Sequence, residues 1–211
     1  MAKSHESFLK ERGRSRSLGL PDSLRPIGTM REWLVTLRAL LAGETVEHEG
    51  KAITLHGINL GSKPPKVPVA LGALGPNMLT QTGEASDGAA LNWCTPEQVA
   101  ASRKIVAKGA QAAGRDPNEV AMIECIRICV DDTELEDRRD RGASEDDLID
   151  AFPVEVAKLV GYFGPGSGGA AAFRHLAEGL DTAIVRVVAA RPGLESITAV
   201  MEACQPSKLP S

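Results

Sequence analysis

Aromatic residues are scarce in this 211-residue chain, and so is an excess of positive charge. Aromatic side chains make up only 3% of the sequence, which argues against a surface that stacks single-stranded nucleic acid. The 24 lysines and arginines are outnumbered by 28 aspartates and glutamates, so the basic surface typical of nucleic-acid-binding proteins is missing as well. We therefore expect no nucleic-acid partner.

Long apolar runs and clustered cysteines are also missing. No stretch approaches the roughly 20 apolar residues that a membrane-spanning helix needs, and the first residues lack the apolar core of a signal peptide. The cysteines show neither C-x-x-C spacing nor neighbouring paired histidines, which favours reduced thiols over a disulfide framework or a metal site; they are Cys94, Cys125, Cys129 and Cys204. These absences predict a cytoplasmic protein without membrane or metal partners.

The chain is rich in glycine instead, with 21 residues, and it is otherwise ordinary for a globular protein. The glycines indicate many turns and packing through small side chains. Residues 1–28 show no periodicity and predict a loop or loose arm. The first helix is predicted over residues 29–43, with Thr29 as N-cap, Glu32 closing a capping box and Gly43 ending the helix.

Strands and helices alternate from residue 67 onward. Apolar runs typical of buried strands occupy residues 67–71, 89–93, 120–130 and 182–189. Helices are predicted over residues 77–85, 95–113, 154–160, 170–178 and 194–204, and the charged residues 134–147 predict an exposed helix and loop. The order predicts an α/β fold with a parallel sheet covered by helices, either four units of a (β/α)8 barrel or an open doubly wound sheet.

Several motifs, taken in order, resemble the luciferase-like monooxygenase family, particularly its coenzyme F420-dependent members. They are LRALLAGE at residues 37–44, VEHEG at 46–50, PVALGALGPNML at 68–79, GEASDGAALNW at 83–93 and AAGRDP at 112–117. The family fold is a (β/α)8 TIM-type barrel with an insertion before the fifth strand. The resemblance therefore implies that residues 29–204 form a partial barrel, in which 44–66 belong to the insertion and 67–204 are the last four strand–helix units. Residues 205–211 are then a tail.

The resemblance also implies a cofactor site. Gly72, Ala73, Leu74 and Gly75 form a turn after a strand that opens a helix, where backbone N–H groups meet anions. In the family, a small-residue turn at this place touches the phosphate and polyol part of the coenzyme. Coenzyme F420 is the expected cofactor, with FMN as the alternative. In this register the chain begins after the fourth strand, so no residue is assigned a catalytic role.

Other polar residues near predicted strand ends are weaker candidates. Asn92 and Trp93 are expected to form a wall of a substrate pocket, with a purely structural tryptophan as the alternative. Glu124 and Arg127 interrupt an apolar strand, and we expect Glu124 to pair with a polar group inside the barrel.

Two further features of the sequence, one arginine and one glycine-rich loop, can each be interpreted in two ways. Arg191 follows the last strand and either meets an anion or is a solvated turn residue. The loop 164–169 matches G-x-G-x-x-G by letter but follows a predicted helix, so it is interpreted as a flexible connection. The four histidines, His5, His48, His56 and His175, lie away from predicted strand ends. Surface or packing roles are therefore expected for them.

The sequence thus predicts a luciferase-like oxidoreductase that transfers a hydride between a deazaflavin or flavin and a small organic substrate. As a half-barrel with open strand edges, the chain is expected to be truncated, inactive alone, and either homo-oligomeric or paired with a complementing half-barrel. The alternative is a non-catalytic half-barrel interaction module or gene remnant. An open doubly wound nucleotide-binding domain ranks last, because no phosphate loop occurs in the required context.

Overall fold

A computed structural model of the chain describes residues 26–130 and 154–205. The chain divides into two compact units, the first ending at Val67 and the second beginning at Pro68. The described part of the first unit contains one helix, α1 (Pro26–Leu41), and a two-stranded antiparallel sheet of β1 (Val46–Glu49) and β2 (Thr54–Ile58). The expectations for residues 1–25, 134–147 and 206–211 lie outside the described residues.

Helix α1 begins earlier than the sequence predicted. Its first residue is Pro26, so Thr29 lies inside the helix and is not its N-cap, and residues 26–28 are helical rather than part of an arm. Glu32 closes no capping box there. Its carboxylate instead accepts hydrogen bonds from the backbone N–H groups of Lys51, Ala52 and Ile53 at 3.0, 2.9 and 3.1 Å. The prediction failed because proline is itself favoured in the first helical turn.

The second unit is built around a five-stranded sheet. Its strands are β3 (Ala70–Gly72), β4 (Gly88–Leu91), β5 (Ala121–Val130), β6 (Gly161–Gly164) and β7 (Thr182–Val187). Its helices are α2 (Pro76–Ala85), α3 (Pro96–Ala112), α4 (Val154–Val160), α5 (Gly166–Leu176) and α6 (Leu194–Ala203), with a short 3-10 turn at Pro117–Glu119. All paired strands of this sheet are parallel, which confirms the predicted α/β fold.

Strand β5 is the centre of the sheet. Its first residues pair with β4 and its last residues pair with β6, while residues 123–128 pair with β7. Because Arg127 pairs with both Gly161 and Arg186, β6 and β7 lie on opposite edges of β5. Strands β4 and β6 therefore follow each other along one edge, and β7 occupies the other.

Strand β6 was not predicted, and it corrects the interpretation of the loop 164–169. This segment follows a strand rather than a helix, and residues from Gly166 onward are already helical, so α5 begins four residues before its predicted start. The Tyr162 hydroxyl donates a hydrogen bond to the Pro165 carbonyl oxygen at 2.6 Å and fixes this turn. A four-residue strand that begins and ends with glycine carries too little periodicity to be recognised from the sequence.

The helices cover one face of the sheet. Met122 packs in a cluster with helix residues Leu79, Val99 and Val106, and Ile126 and Ile128 pack in a second cluster with Leu176 and Val200. Alternate residues of a strand point to opposite faces. The side chains at positions 123, 125, 127 and 129 of β5, and at 182, 184 and 186 of β7, therefore lie on the other face, which we call the open face.

Helices α2 and α3 approach each other closely through glycine. A Cβ atom at Gly83 would collide with the carbonyl oxygen of Val106, and one at Gly109 would collide with that of Thr80. The α3 start was predicted correctly: Thr95 is the N-cap, and it forms the complete capping box with Gln98. No described helix is long and apolar enough to cross a membrane.

Candidate functional site

The predicted cofactor turn and the predicted pocket wall lie at the same edge of the sheet. Carboxyl ends of parallel strands meet at one edge, where α/β proteins place their ligand sites. Gly72 is the last residue of β3 and residues 73–75 of the turn follow it, while Asn92 and Trp93 follow β4. The two segments are tied together by a hydrogen bond of 3.1 Å from the Ala73 N–H to the Ala90 carbonyl oxygen.

The turn 72–75 is anchored on one side and open on the other. Ala73 is buried, with 1% of its surface exposed, whereas the side chain of Leu74 is half-exposed. A Cβ atom at Gly72 or Gly75 would meet no atom within 4 Å, so the backbone here is open to a ligand. Gly75 is the N-cap of α2, and no side chain caps this helix end. The turn therefore presents the positive end of a helix at an accessible place.

Trp93 adopts an unusual backbone conformation. Within residues 26–130 and 154–205 it is the one non-glycine residue with positive φ, at 59°. Such a conformation costs a bulky residue on the order of 1–3 kcal/mol and persists only where neighbouring contacts enforce it. The residues around Trp93 supply those contacts from both faces of β5.

Glu124 holds the loop from the helix-covered face. Its Oε1 atom accepts a hydrogen bond of 2.9 Å from the Cys94 N–H, and its carboxylate also accepts one from the Trp93 N–H. The side chain is 2% exposed, and its Oε2 atom is buried without a hydrogen-bond partner. Glu124 thus pairs with polar groups as expected, but it shares its face with Met122 and Ile126, so the expected placement inside the barrel is wrong.

Burial controls the titration of this loop. Burial raises the pKa of Glu124, and the Cys94 N–H, Arg127 and the Trp93 N–H lower it by less. Burial, assisted by the charge of Glu124, also raises the pKa of the Cys94 thiol to about 11. Cys94 is therefore a thiol rather than a thiolate at neutral pH and is unsuited to act as a nucleophile.

Arg127 holds the loop from the open face. Its Cζ atom lies 3.6 Å from the centroid of the Trp93 ring, and its Nη1 atom donates a hydrogen bond of 3.1 Å to Asn92 Oδ1. The two predicted wall residues are thus oriented by one guanidinium. The interruption of an apolar strand by a charged residue was the sequence signal, but it did not reveal that Trp93 is the partner.

The remaining candidates are Arg191 and the histidines. Arg191 is exposed after β7, and its N–H donates a hydrogen bond of 3.1 Å to Ser196 Oγ. His175 pairs with Glu178 at 2.9 Å on the surface of α5, and His48 and His56 belong to the hairpin of the first unit. His5 lies outside the described residues. None of the described histidines joins the loops at the carboxyl edge.

Comparisons with known sequences find similarity to proteins named as reductases. Its sequence is 40% identical over 106 residues to the 5,10-methylenetetrahydromethanopterin reductase of Methanolobus tindarius, an alignment that covers 49% of this chain and 32% of that protein. It is 28% identical over 130 residues to the reductase of the same name from Archaeoglobus fulgidus, covering 62% of this chain and 38% of the relative. The matched part of the chain thus spans about a third of the length of these curated relatives.

Solved structures share the fold at low sequence identity. The coenzyme F420-dependent tetrahydromethanopterin reductase from Methanopyrus kandleri matches with a TM-score of 0.66 and 18% identity, over 90% of this chain and 69% of that one. An F420-dependent secondary alcohol dehydrogenase in complex with an F420-acetone adduct matches with a TM-score of 0.69 and 16% identity, over 90% of this chain and 66% of that one. These similarities concern the fold.

The parallel sheet, its one-sided helix layer and the loops at its carboxyl edge define a partial TIM-type barrel. The family model described as luciferase-like monooxygenase matches residues 12–192. The chain belongs to the luciferase-like monooxygenase family, as its sequence motifs predicted.

Proposed function

We propose that this chain is part of an F420-dependent oxidoreductase that transfers a hydride between the deazaflavin and a small organic substrate, with FMN as the alternative cofactor. The observation that carries the proposal is the 40% identity to a methylenetetrahydromethanopterin reductase over 106 residues. The structurally similar tetrahydromethanopterin reductase from Methanopyrus kandleri depends on coenzyme F420, which favours the deazaflavin over FMN.

The turn 72–75 is the proposed contact for the phosphate and polyol part of the cofactor. Its fit is supported by the open space beside Gly72 and Gly75 and by the uncapped amino end of α2. Anions bind at such helix ends because N–H groups and the helix dipole both favour negative charge. Ala73, fixed to Ala90, would keep the turn in place, and the half-exposed Leu74 would contact the apolar side of the polyol chain.

When bound, the deazaflavin supplies the hydride chemistry, and the protein supplies orientation and exclusion of water. In this proposal Asn92 and Trp93 form one wall of the substrate pocket. The ring of Trp93 is held by Arg127 at 3.6 Å, which keeps an apolar surface at the sheet edge and limits access of water. Glu124 fixes the backbone of the same loop and does not take part in proton transfer, because it lies on the helix-covered face.

Equilibrium titration of oxidised F420 and of FMN into the 211-residue chain tests the proposal. We expect saturable binding of F420 and weaker binding of FMN. Gly72→Val, which places a branched side chain into the open space of the turn, is expected to weaken F420 binding at least tenfold. Gly28→Val in the first unit, at a glycine where a Cβ atom would also meet nothing within 4 Å, is the matched control. Equal affinity of the wild-type chain and the Gly72→Val variant, or tighter binding of FMN, would contradict the assignment.

We further propose that the 211-residue chain does not catalyse the reaction by itself. It associates with a second copy or with a complementing half-barrel. The support is the composition of the open face, where Ile184 is 45% exposed, and the outer edges of β3 and β7, which pair with no strand of residues 26–130 and 154–205. Uncovered apolar faces and unpaired edges promote association. Sedimentation should give a mass above that of a 22.3 kDa monomer. A monomer that reduces substrate with F420 would contradict this proposal.

A non-catalytic interaction module is the second candidate, favoured by the same open face. The two functions differ in their ligand: the module would associate with a protein but bind neither F420 nor FMN. The titration above therefore distinguishes them.

A further inference from the structure

Two arginines from neighbouring strands lie side by side on the open face. Arg127 of β5 and Arg186 of β7 are direct partners in the parallel register. Paired residues of neighbouring strands point to the same face, and both positions alternate with residues that pack under the helices. The two guanidinium-bearing side chains therefore leave the sheet in the same direction.

This pairing is unfavourable in the absence of a counter-charge. Like charges directly opposite each other on a sheet repel, and a buried cation needs a partner. Arg127 is only 8% exposed. Burial lowers its pKa, and the neighbouring charge of Arg186 lowers it further, although Glu124 and Cys125 act in the opposite direction. The fold therefore places two cations next to each other, although an apolar residue at either position would avoid their repulsion.

The described partners of Arg127 leave most of its hydrogen-bonding capacity unused. Its guanidinium carries several N–H donors, of which Nη1 binds Asn92 Oδ1 at 3.1 Å, while its flat face lies on the Trp93 ring. Among residues 26–130 and 154–205, no carboxylate forms an ion pair with Arg127 or Arg186. Glu124, whose charge raises the pKa of Arg127, is on the opposite face of β5. Asn92 and Trp93 fix the position of Arg127, while Arg186 is exposed and adaptable.

We propose that Arg127 and Arg186 form a binding site for a multiply charged oxyanion of a small ligand, of the phosphate or dicarboxylate type. Planar guanidiniums bind such groups through paired N–H···O bonds, and two neighbouring guanidiniums match two or three oxygens of one anion. The anion removes the repulsion between the two cations. Trp93 lies against the same guanidinium, so the site is coupled to the loop at the carboxyl edge. This inference does not depend on the identity of the cofactor.

Fluorescence titration tests the site, with Trp33→Phe as the background so that Trp93 is the emitting tryptophan. Inorganic phosphate and succinate are added separately at constant ionic strength and about pH 8, where phosphate is mostly dianionic. We expect a saturable change of Trp93 emission with at least one of the two anions. The phosphate and succinate arms distinguish a phosphoryl group from a dicarboxylate.

Variants then locate the binding. Arg186→Gln is expected to weaken binding at least tenfold, while Arg174→Gln, which removes an exposed arginine from α5, is expected to leave it unchanged. Arg127→Lys keeps the charge but loses the planar fork, and it should also weaken binding. Since Arg186 is exposed, its variant should fold even if Arg127→Lys does not. The absence of saturable binding, or equal affinities in Arg186→Gln and Arg174→Gln, would overturn the proposal.

The turn 72–75 is the competing place for an anion, and the same variants separate the two. Gly72→Val should leave phosphate or succinate binding at the arginine pair intact. If Gly72→Val abolishes it and Arg186→Gln does not, the anion binds at the turn and the arginine site is wrong. Failure of F420 to bind would leave the arginine result unaffected.

Discussion

The carboxylate of Glu124 accepts a hydrogen bond of 2.9 Å from the backbone N–H of Cys94, across the gap between β5 and the loop that follows β4. Glu124 is the register partner of Leu91, the last residue of β4. The acid therefore reaches over the end of its neighbouring strand and holds the loop in which Trp93 has a positive φ. A carboxylate, which accepts several N–H bonds, suits this position better than any apolar residue would.

The raised pKa of Glu124 predicts a specific pH dependence of stability. Burial is the principal cause. Because the folded chain holds this proton more tightly than the unfolded chain, the contribution of Glu124 to stability is most favourable below the ordinary glutamate pKa and is lost as pH rises through the raised value. The Glu124→Gln variant has no ionisable group at this position, so its stability does not fall with pH for this reason. The unfolding free energy of the variant minus that of the wild type should therefore increase from about pH 4 to pH 8.

Urea denaturation at both pH values measures this difference. Glu119→Gln, at an exposed position, reports what the removal of a surface carboxylate does by itself. A difference between Glu124→Gln and the wild type that is constant or falls with pH would refute the prediction.

Cys94 should be slow to alkylate in the folded chain. Its pKa of about 11, raised by burial and by Glu124, leaves on the order of one thiol in a thousand ionised at about pH 8. Mass spectrometry of the peptide that contains Cys94, after treatment with iodoacetamide, should show little modification until urea unfolds the chain. Glu124→Gln should accelerate the alkylation, because it removes the negative charge that helps to raise the pKa of the Cys94 thiol. Rapid alkylation of native wild-type Cys94 would show that the loop is not packed as described.

Alanine at Gly83 or Gly109 should destabilise the second unit by about 1–3 kcal/mol, because the added Cβ must separate α2 and α3. Each substitution would ordinarily favour a helix, so the sign of the effect is informative. Gly28→Ala in α1, where a Cβ would meet nothing within 4 Å, is the matched control and should not lower stability. Thermal unfolding measures all three. Unchanged stability in Gly83→Ala would contradict the close approach of the two helices.

The ionised carboxylate of Asp181 is expected to stabilise the sheet at pH values above the pKa of this group. Burial raises its pKa, but the Met122 N–H and Arg103 together lower it by more, and the net pKa lies below the ordinary value. Its contribution is thus present at neutral pH and lost as pH falls below the ordinary aspartate pKa.

Asp181→Asn should cost about 1–2 kcal/mol at neutral pH, mainly because the hydrogen bond that the Met122 N–H donates at 2.7 Å then goes to a neutral amide oxygen instead of a carboxylate. Arg103→Gln should cost less than about 1 kcal/mol, because its ion pair with Asp181 is largely exposed. Urea denaturation of both variants gives the comparison. A larger effect of Arg103→Gln than of Asp181→Asn would reverse the assignment.

The sequence predicted the elements whose signals are local and redundant. The start of α3 combines Thr95, Pro96 and Gln98 in a spacing that few other structures satisfy, and all three occupy the predicted positions. The long strand β5 was recognisable because ten mostly apolar residues follow a turn. At the start of α1 the signals competed, and Pro26 prevailed over Thr29.

The contacts between strands and loops could not be predicted from the sequence. Position 93 is neither glycine nor asparagine, so the sequence does not indicate its positive φ. This conformation is imposed by contacts with Glu124 and Arg127, some thirty residues further along the chain. The face on which Glu124 lies depends on the alignment of β4, β5 and β7, which the sequence does not specify. The pairing of Arg127 with Arg186 depends on the same register.

Hydrogen–deuterium exchange of the 211-residue chain, with saturating F420, with FMN and without ligand, tests most directly whether the carboxyl edge of this sheet binds a deazaflavin. The account predicts slower exchange with F420 in peptides covering residues 70–79 and 89–95, and a smaller effect with FMN. Unchanged exchange in both peptides, or protection by FMN alone, would contradict it.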